Sequence, residues 1–225
     1  MPEAMLAGVF VEAMLRQQSG VISRRQARDA GMSEDQIDRR LATGRWVTVC
    51  PGVYRPADHE LSDEARVRAV GLWAGDRATI SGLAAAWWHR LWPDPPSVVE
   101  VTARLTSGLR PGAGVRLRRR DLLDAGRMAT RGLWVTDLPL TVLEAAVALG
   151  DQGARLMDQA LQRRVRLGAL RLAHRRNLGK RGSAVAGAAP SLRRPIRLGG
   201  RAQIDHYSPG RRCHRLPTAL PRERL

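Results

Sequence analysis

Lysine, phenylalanine and tyrosine are nearly absent from this 225-residue chain: Lys180 is the one lysine, with one Phe and two Tyr. Its positive charge, a net +17, is therefore carried almost wholly by arginine. Together with abundant Ala and Gly this points to a GC-rich coding sequence, so codon bias supplies part of the charge. Cysteine is scarce as well. Cys50 and Cys213 lie far apart without metal-type spacing, which argues against a zinc site and for a reducing compartment. No run approaches the roughly 18 apolar residues of a transmembrane helix. Met5 to Leu15 is apolar, but Glu3 and Glu12 interrupt it and no basic leader precedes it, so it does not read as a signal peptide. The expectation is a cytoplasmic protein without membrane association.

Catalytic signatures are missing too. There is no Gly-rich phosphate loop, no His-Glu-x-x-His and no Gly-x-Ser-x-Gly. Asp121, Asp124, Glu144 and Asp158 are scattered over separate elements. No catalytic residue, metal ligand or cofactor is expected, and the chain reads as a non-enzyme.

The 44% hydrophobic content suffices for a packed core. Charge is unevenly spread: residues 181–225 hold ten Arg against Asp205 and Glu223. From about Gly187 the sequence loses periodicity and gains Pro190, Pro195, Pro209, Pro217 and Pro221. Residues 187–225 thus read as a disordered basic tail, or as the product of a frameshift.

The N-terminal third carries the clearest pattern. Met5, Leu6, Val9, Phe10, Ala13 and Met14 recur at three-four spacing, an amphipathic helix ended by Ser19-Gly20. Ser23 with Gln26, then Ser33 with Gln36, form two capping-box patterns, and Gly31 and Gly44 close the helices they open. Two short capped helices joined by a tight turn form a helix-turn-helix. On the second, Ile37 and Leu41 face inward while Asp35, Arg39, Ala42 and Thr43 lie opposite, flanked by Gln36 and Arg40. Trp46, Val47, Val49, Val53 and Tyr54 are β-formers broken by the Pro51-Gly52 turn, a hairpin that would form a wing.

This order predicts a winged helix over residues 1–57 that reads double-stranded DNA. Gln36, Arg39, Arg40 and Thr43 would reach base edges or phosphates, since Arg pairs with guanine and Gln with adenine. Arg24, Arg25 and Arg28 on the preceding helix, with Arg45 and Arg55 at the wing base, would meet phosphate. Asp35 and Asp38 repel phosphate, and are expected to pair with Arg39 or Arg40.

Residues 63–182 read as a small mixed α/β domain, giving an α+β chain as a whole. Asp58 to Ser62 reads as a linker. Helices are expected over Asp63–Trp73, Ser81–Leu91, Thr141–Leu149, Ala154–Arg164 and Leu167–Asn177, and strands over Val98–Thr102, Val115–Arg118 and Leu133–Thr136. Trp87, Trp88 and Trp92 on an Ala-rich helix read as core rather than as base-stacking platforms, and His89 as a satisfied or surface histidine rather than a ligand. Arg116 to Arg120 reads as a charged, solvated sheet edge rather than as a second nucleic-acid surface.

Gly20 to Gly31, followed by Ile37–Leu41, Gly44-Arg45-Trp46 and Pro51-Gly52-Val53-Tyr54, resembles the winged-helix domain of AbiEi-type antitoxins. Ile80–Ala86, Val99–Thr102, Thr136–Leu143 and Met157–Leu161 resemble the middle region of the same proteins. The resemblance implies an antitoxin of a type IV toxin-antitoxin system that represses its own operon, with a cognate nucleotidyltransferase-like toxin as partner. Proteins of this shape are often fused to a domain similar to the very-short-patch repair endonuclease. Its acidic metal ligands are missing here, so a catalytically inactive remnant of such a fusion is the alternative. A basic RNA- or ribosome-associated protein is a third reading.

Overall fold

In a computed structural model the described residues run from 3 to 179. The expectations of a disordered tail and a frameshift at 187–225 lie outside them. The fold class is the expected α+β, with N-terminal helices and a wing-like hairpin followed by a mixed sheet.

Helix α1 (Glu3–Gln17) buries Ala7, Val11 and Leu15. The chain turns through Ser19 and Gly20 into the two-residue strand β1 (Ile22–Ser23), then α2 (Arg24–Asp29) and α3 (Glu34–Ala42). Both capping boxes are formed. The Ser23 hydroxyl accepts from the Gln26 amide at 3.1 Å, the Ser33 hydroxyl from the Gln36 amide at 3.2 Å, and each Gln side chain returns the bond. Gly31 and Gly44 follow the helix ends with φ of +95° and +69°, conformations that an L side chain resists. Strands β2 (Trp46–Cys50) and β3 (Val53–Pro56) form the hairpin, and β1 adds to β3 to give the sheet order β1-β3-β2. Ile22, Ala27, Met32, Ile37, Trp46 and Tyr54 close a core beneath α1. Fully burying an aliphatic side chain contributes about 1.5–3 kcal/mol, so Ile37 is the anchor that fixes which face of α3 stays outside.

Helix α4 (Asp63–Ala74) packs on two sheets at once. Ala65 and Ala69 meet Val21 and Val53 of the hairpin side, while Val67, Val70 and Ala74 enter the core of the second sheet. That sheet comprises β4 (Ala78–Ile80), β5 (Val99–Ala103), β6 (Val115–Arg119), β7 (Arg127–Thr130) and β8 (Leu133–Thr136), in the order β6-β5-β4-β8-β7. The β4/β8 and β5/β6 pairs are parallel and the others antiparallel. Helix α5 (Gly82–Trp88) ends before the expected Leu91, because the backbone turns left-handed at Arg90. Helices α6 (Leu138–Leu149), α7 (Gly153–Arg163) and α8 (Leu167–Asn177) complete the described chain around Leu140, Leu143, Leu156 and Leu170.

Trp88 is buried, as expected of a core residue, whereas Trp87 and Trp92 are partly buried. His89 is satisfied, with Nε2 donating to the Thr136 carbonyl at 2.8 Å. The basic run at Arg116–Arg120 departs from expectation. It does lie on an edge strand, yet it is not simply solvated: Arg116 and Arg118 clasp the buried Glu100 at 2.9 and 3.1 Å, and Arg120 is buried in an ion pair with Glu144. Glu144 also accepts from the Gly82 amide at 3.1 Å. Burial pushes its carboxyl above the usual carboxylate range, and the charge of Arg120 opposes that rise. No helix among the described residues is long and apolar enough to cross a membrane, and none of their His, Cys, Asp and Glu side chains cluster in threes as a metal would require.

Candidate nucleic-acid interface

The helix-turn-helix arginines fall into two groups once their partners are known. Arg24 is committed to the fold. Its Nε meets Glu34 at 3.1 Å, an Nη meets Asp38, and its guanidinium lies 6.0 Å from the Tyr54 ring centroid. Arg28 takes the other oxygen of Glu34 at 3.1 Å. Two bases on α2 thereby neutralise two acids on α3 and latch the helices together. Asp38 pairs with Arg24 and not with Arg39 or Arg40, contrary to expectation, because α2 crosses the flank of α3 where Asp38 emerges.

Arg55 is also engaged. One Nη donates to the carbonyls of Pro56 at 3.0 Å, Ala57 at 3.2 Å and His59, tying down the chain that leaves the hairpin. Arg40 stacks 5.5 Å from the Trp46 centroid, and Trp46 stacks on Tyr54 at 5.9 Å. The Gln36 side-chain carbonyl oxygen accepts from the Ser33 amide at 3.0 Å. Only its amide group is then left to donate, which weakens the case for a bidentate contact to adenine.

The second group points outward. Arg39 and Arg45 are exposed, with no side-chain hydrogen bond or ion pair among the described residues. Thr43, one turn beyond Arg39, is exposed at the end of α3 and donates its hydroxyl to the Arg39 carbonyl at 2.8 Å. Arg25 is 87% exposed and touches Asp29 loosely at 3.7 Å. Arg24, Arg25 and Arg28 line one shallow hollow between α2 and α3. Asp35 stays exposed in the first turn of α3. The N-terminal half of α3 is thus acidic or internally neutralised, and the free positive charge sits at its C-terminal end and at the start of the hairpin.

The wing is short. The Gly52 carbonyl accepts from the Arg24 amide at 2.8 Å, folding the tip back against the start of α2. No basic residue lies between Trp46 and Tyr54, and Arg45 immediately precedes the hairpin's leading strand. Cys50, at the end of β2, is partly buried, and desolvation pushes its thiol up to about 11. Sequence reasoning could rank Arg39 as exposed from helical phase. It could not detect that Arg24 and Arg55 are occupied, because their partners lie across the fold or on carbonyl oxygens.

Residues 10–57 match the family model of a transcriptional regulator, the AbiEi antitoxin. The match bears out the resemblance read from Gly20 to Tyr54, and supports a DNA-binding transcriptional regulator or antitoxin in general. Among solved structures, the RV2827C protein from Mycobacterium tuberculosis is similar at 15% identity over 75% of each chain, with a TM-score of 0.38. No curated protein matches the chain.

Proposed function

We propose that this protein is an antitoxin-like transcriptional autorepressor. Residues 1–57 would bind the promoter of its own operon, and residues 63–182 would carry the remaining contacts of the system, including those to a nucleotidyltransferase-like toxin. The observation that carries the reading is the coincidence of the family match at residues 10–57 with the exposed, unengaged cations Arg39 at the end of α3 and Arg45 at the start of the hairpin.

In this reading the C-terminal half of α3 enters the major groove, led by Arg39 and Thr43, with Arg40 and the amide of Gln36 at its flanks. Arg45 and Arg25 meet phosphates, and Arg24, Arg28 and Arg55 act by holding α2, α3 and the hairpin in register. The acidic first turn keeps the helix N-terminus off the backbone, since Asp35 would repel phosphate. Footprinting of the purified full chain on the DNA upstream of its gene tests this. Protection of a segment containing an inverted repeat is expected; uniform, unprotected DNA at concentrations that retard a random duplex would refute repression in cis.

A further inference from the structure

Trp87 and Trp92 pack against the core on one side and stay partly exposed on the other, beside arginines at the end of α5 that the α3 surface does not use. Trp87 and Trp92 line a hollow of about 400 Å³ together with Arg90 and Arg131. A second hollow of about 420 Å³ adjoins it through Arg90 and Leu91, and adds Gln159, Arg163 and Arg164 from the end of α7. The two form one groove with four arginines and a single acid, Glu64, which Arg68 and Arg131 already engage at 3.0 and 3.6 Å. Arg90, Arg163 and Arg164 make no side-chain hydrogen bond or ion pair among the described residues. Their fields converge. Burial lowers the pKa of the Arg131 guanidinium, with Glu64 opposing and Arg90 and Arg68 adding to the fall; burial also depresses His89, and Arg164 and Arg131 reinforce that.

The backbone points the same way. Arg90 has φ +58° and closes α5 as the left-handed residue of a Schellman motif: its amide donates to Trp87 at 2.9 Å, and the Leu91 amide donates to Ala86 at 2.8 Å. Glycine is the ordinary residue there. Arg131 has φ +49° and, with Gly132, makes the two-residue turn between β7 and β8, where asparagine is the ordinary first residue. Arg131 is held there by the fold, stacking 3.7 Å from the Trp88 ring centroid, donating to the Trp88 carbonyl at 2.5 Å and pairing with Glu64, whereas the strained Arg90 has no such side-chain partner, and both residues line the same hollow. Strain retained at Arg90, without a side-chain contact that offsets it, points to a role outside folding.

We propose that this groove binds single-stranded polynucleotide. The phosphates lie on Arg90, Arg163 and Arg164, and an unpaired base stacks against the exposed part of Trp87 or Trp92. A duplex keeps its bases stacked on one another and cannot offer one to an indole set in a hollow, whereas single strands bind by this combination of cations and aromatic faces. Gln159 and Gln162, on the same side of α7, supply amides for base edges. The groove does not use the α3 surface, so the two readings stand or fall separately.

The test uses the full chain with fluorescein-labelled U12, dT12 and a 20-base-pair duplex, followed by anisotropy across a salt series. Both single strands are expected to bind the unsubstituted protein. A preference for U12 would assign the ligand to RNA through the 2′-hydroxyl, and equal binding to either polymer. The triple variant Arg90→Gly, Arg163→Ala, Arg164→Ala should bind single strands at least tenfold more weakly, with the log–log salt slope reduced by about 2. Its duplex affinity and Tm should be unchanged. Arg90→Gly alone should keep or raise Tm, because glycine relieves the left-handed strain. Trp92→Leu should cost roughly tenfold with an unchanged salt slope, the signature of impaired stacking. Failure of the unsubstituted protein to bind either single strand overturns the proposal. So does undiminished binding by the triple variant, which would place the affinity elsewhere in this arginine-rich chain, and so does an equal loss on duplex and single strand.

Discussion

Replacing Glu144 by Leu would take from the buried Arg120 guanidinium the carboxylate with which it pairs. Both side chains are almost fully enclosed, at 1% and 0% exposure, so water cannot take the place of the missing carboxylate. The Gly82 amide would lose its acceptor at the same time. Breaking a buried pair by removing one partner costs about 3–5 kcal/mol, which for a domain of this size lowers Tm by roughly 6–20 °C. Removing both charges is a different perturbation. The double variant Arg120→Met, Glu144→Leu replaces the pair with apolar groups of similar volume, and should recover most of that loss. Glu144→Gln keeps an acceptor for Gly82 and should fall between the two. Thermal unfolding followed by far-ultraviolet circular dichroism reads all three. If Glu144→Leu shifts Tm by less than about 2 °C, well under the range expected for a broken buried pair, or the double variant is worse than the single, the Arg120–Glu144 pair does not stabilise the core in the way its burial implies.

Ser33→Ala removes one capping box and should destabilise the protein by about 1 kcal/mol, with a larger loss of α3 amide protection than of β5 protection in hydrogen exchange. Equal loss in both would mean α3 does not open separately. His89 gives a pH dependence. Its folded pKa is depressed by burial and then by Arg164 and Arg131, so the unfolded chain takes up a proton near pH 6.5 that the folded chain resists. Its contribution is present above that pH and is lost as pH falls through the depressed value. Tm should therefore decline on acidification from about pH 7 to 5 and decline less in His89→Gln; an equal slope in both proteins would contradict the assignment.

The N-terminal elements were legible because their signals are local. Ser23/Gln26 and Ser33/Gln36 announce two helix starts within four residues each, and Pro51-Gly52 marks the turn between strands whose β-formers flank it. Strands β4 and β7 were missed for the opposite reason. Ala78-Thr79-Ile80 is three residues long and all buried, so it has no alternation to read, and its partners β5 and β8 lie far along the chain. Arg127 to Thr130 alternates no better, and the turn that follows has Arg131 in place of the asparagine or aspartate that would mark it before Gly132. The interface divides in the same way. Helical phase placed Arg39 and Thr43 outward, but the engagement of Arg24 by Glu34 and Asp38 depends on how α2 crosses α3. The burial of Arg120 depends on a partner 24 residues away on another element.

The central claim is that the free charge at the C-terminal end of α3 and the start of the hairpin grips duplex DNA. It is tested most directly by the salt dependence of duplex affinity in Arg39→Ala, Arg45→Ala and the double variant, compared with the unsubstituted chain on the same upstream DNA. Each single substitution should lower the log–log slope by about 0.9 for every phosphate the side chain no longer neutralises, and the double by about twice that, with Tm unchanged because neither side chain has a partner to lose. An unchanged slope and affinity in the double variant would contradict the account and remove α3 from the interface.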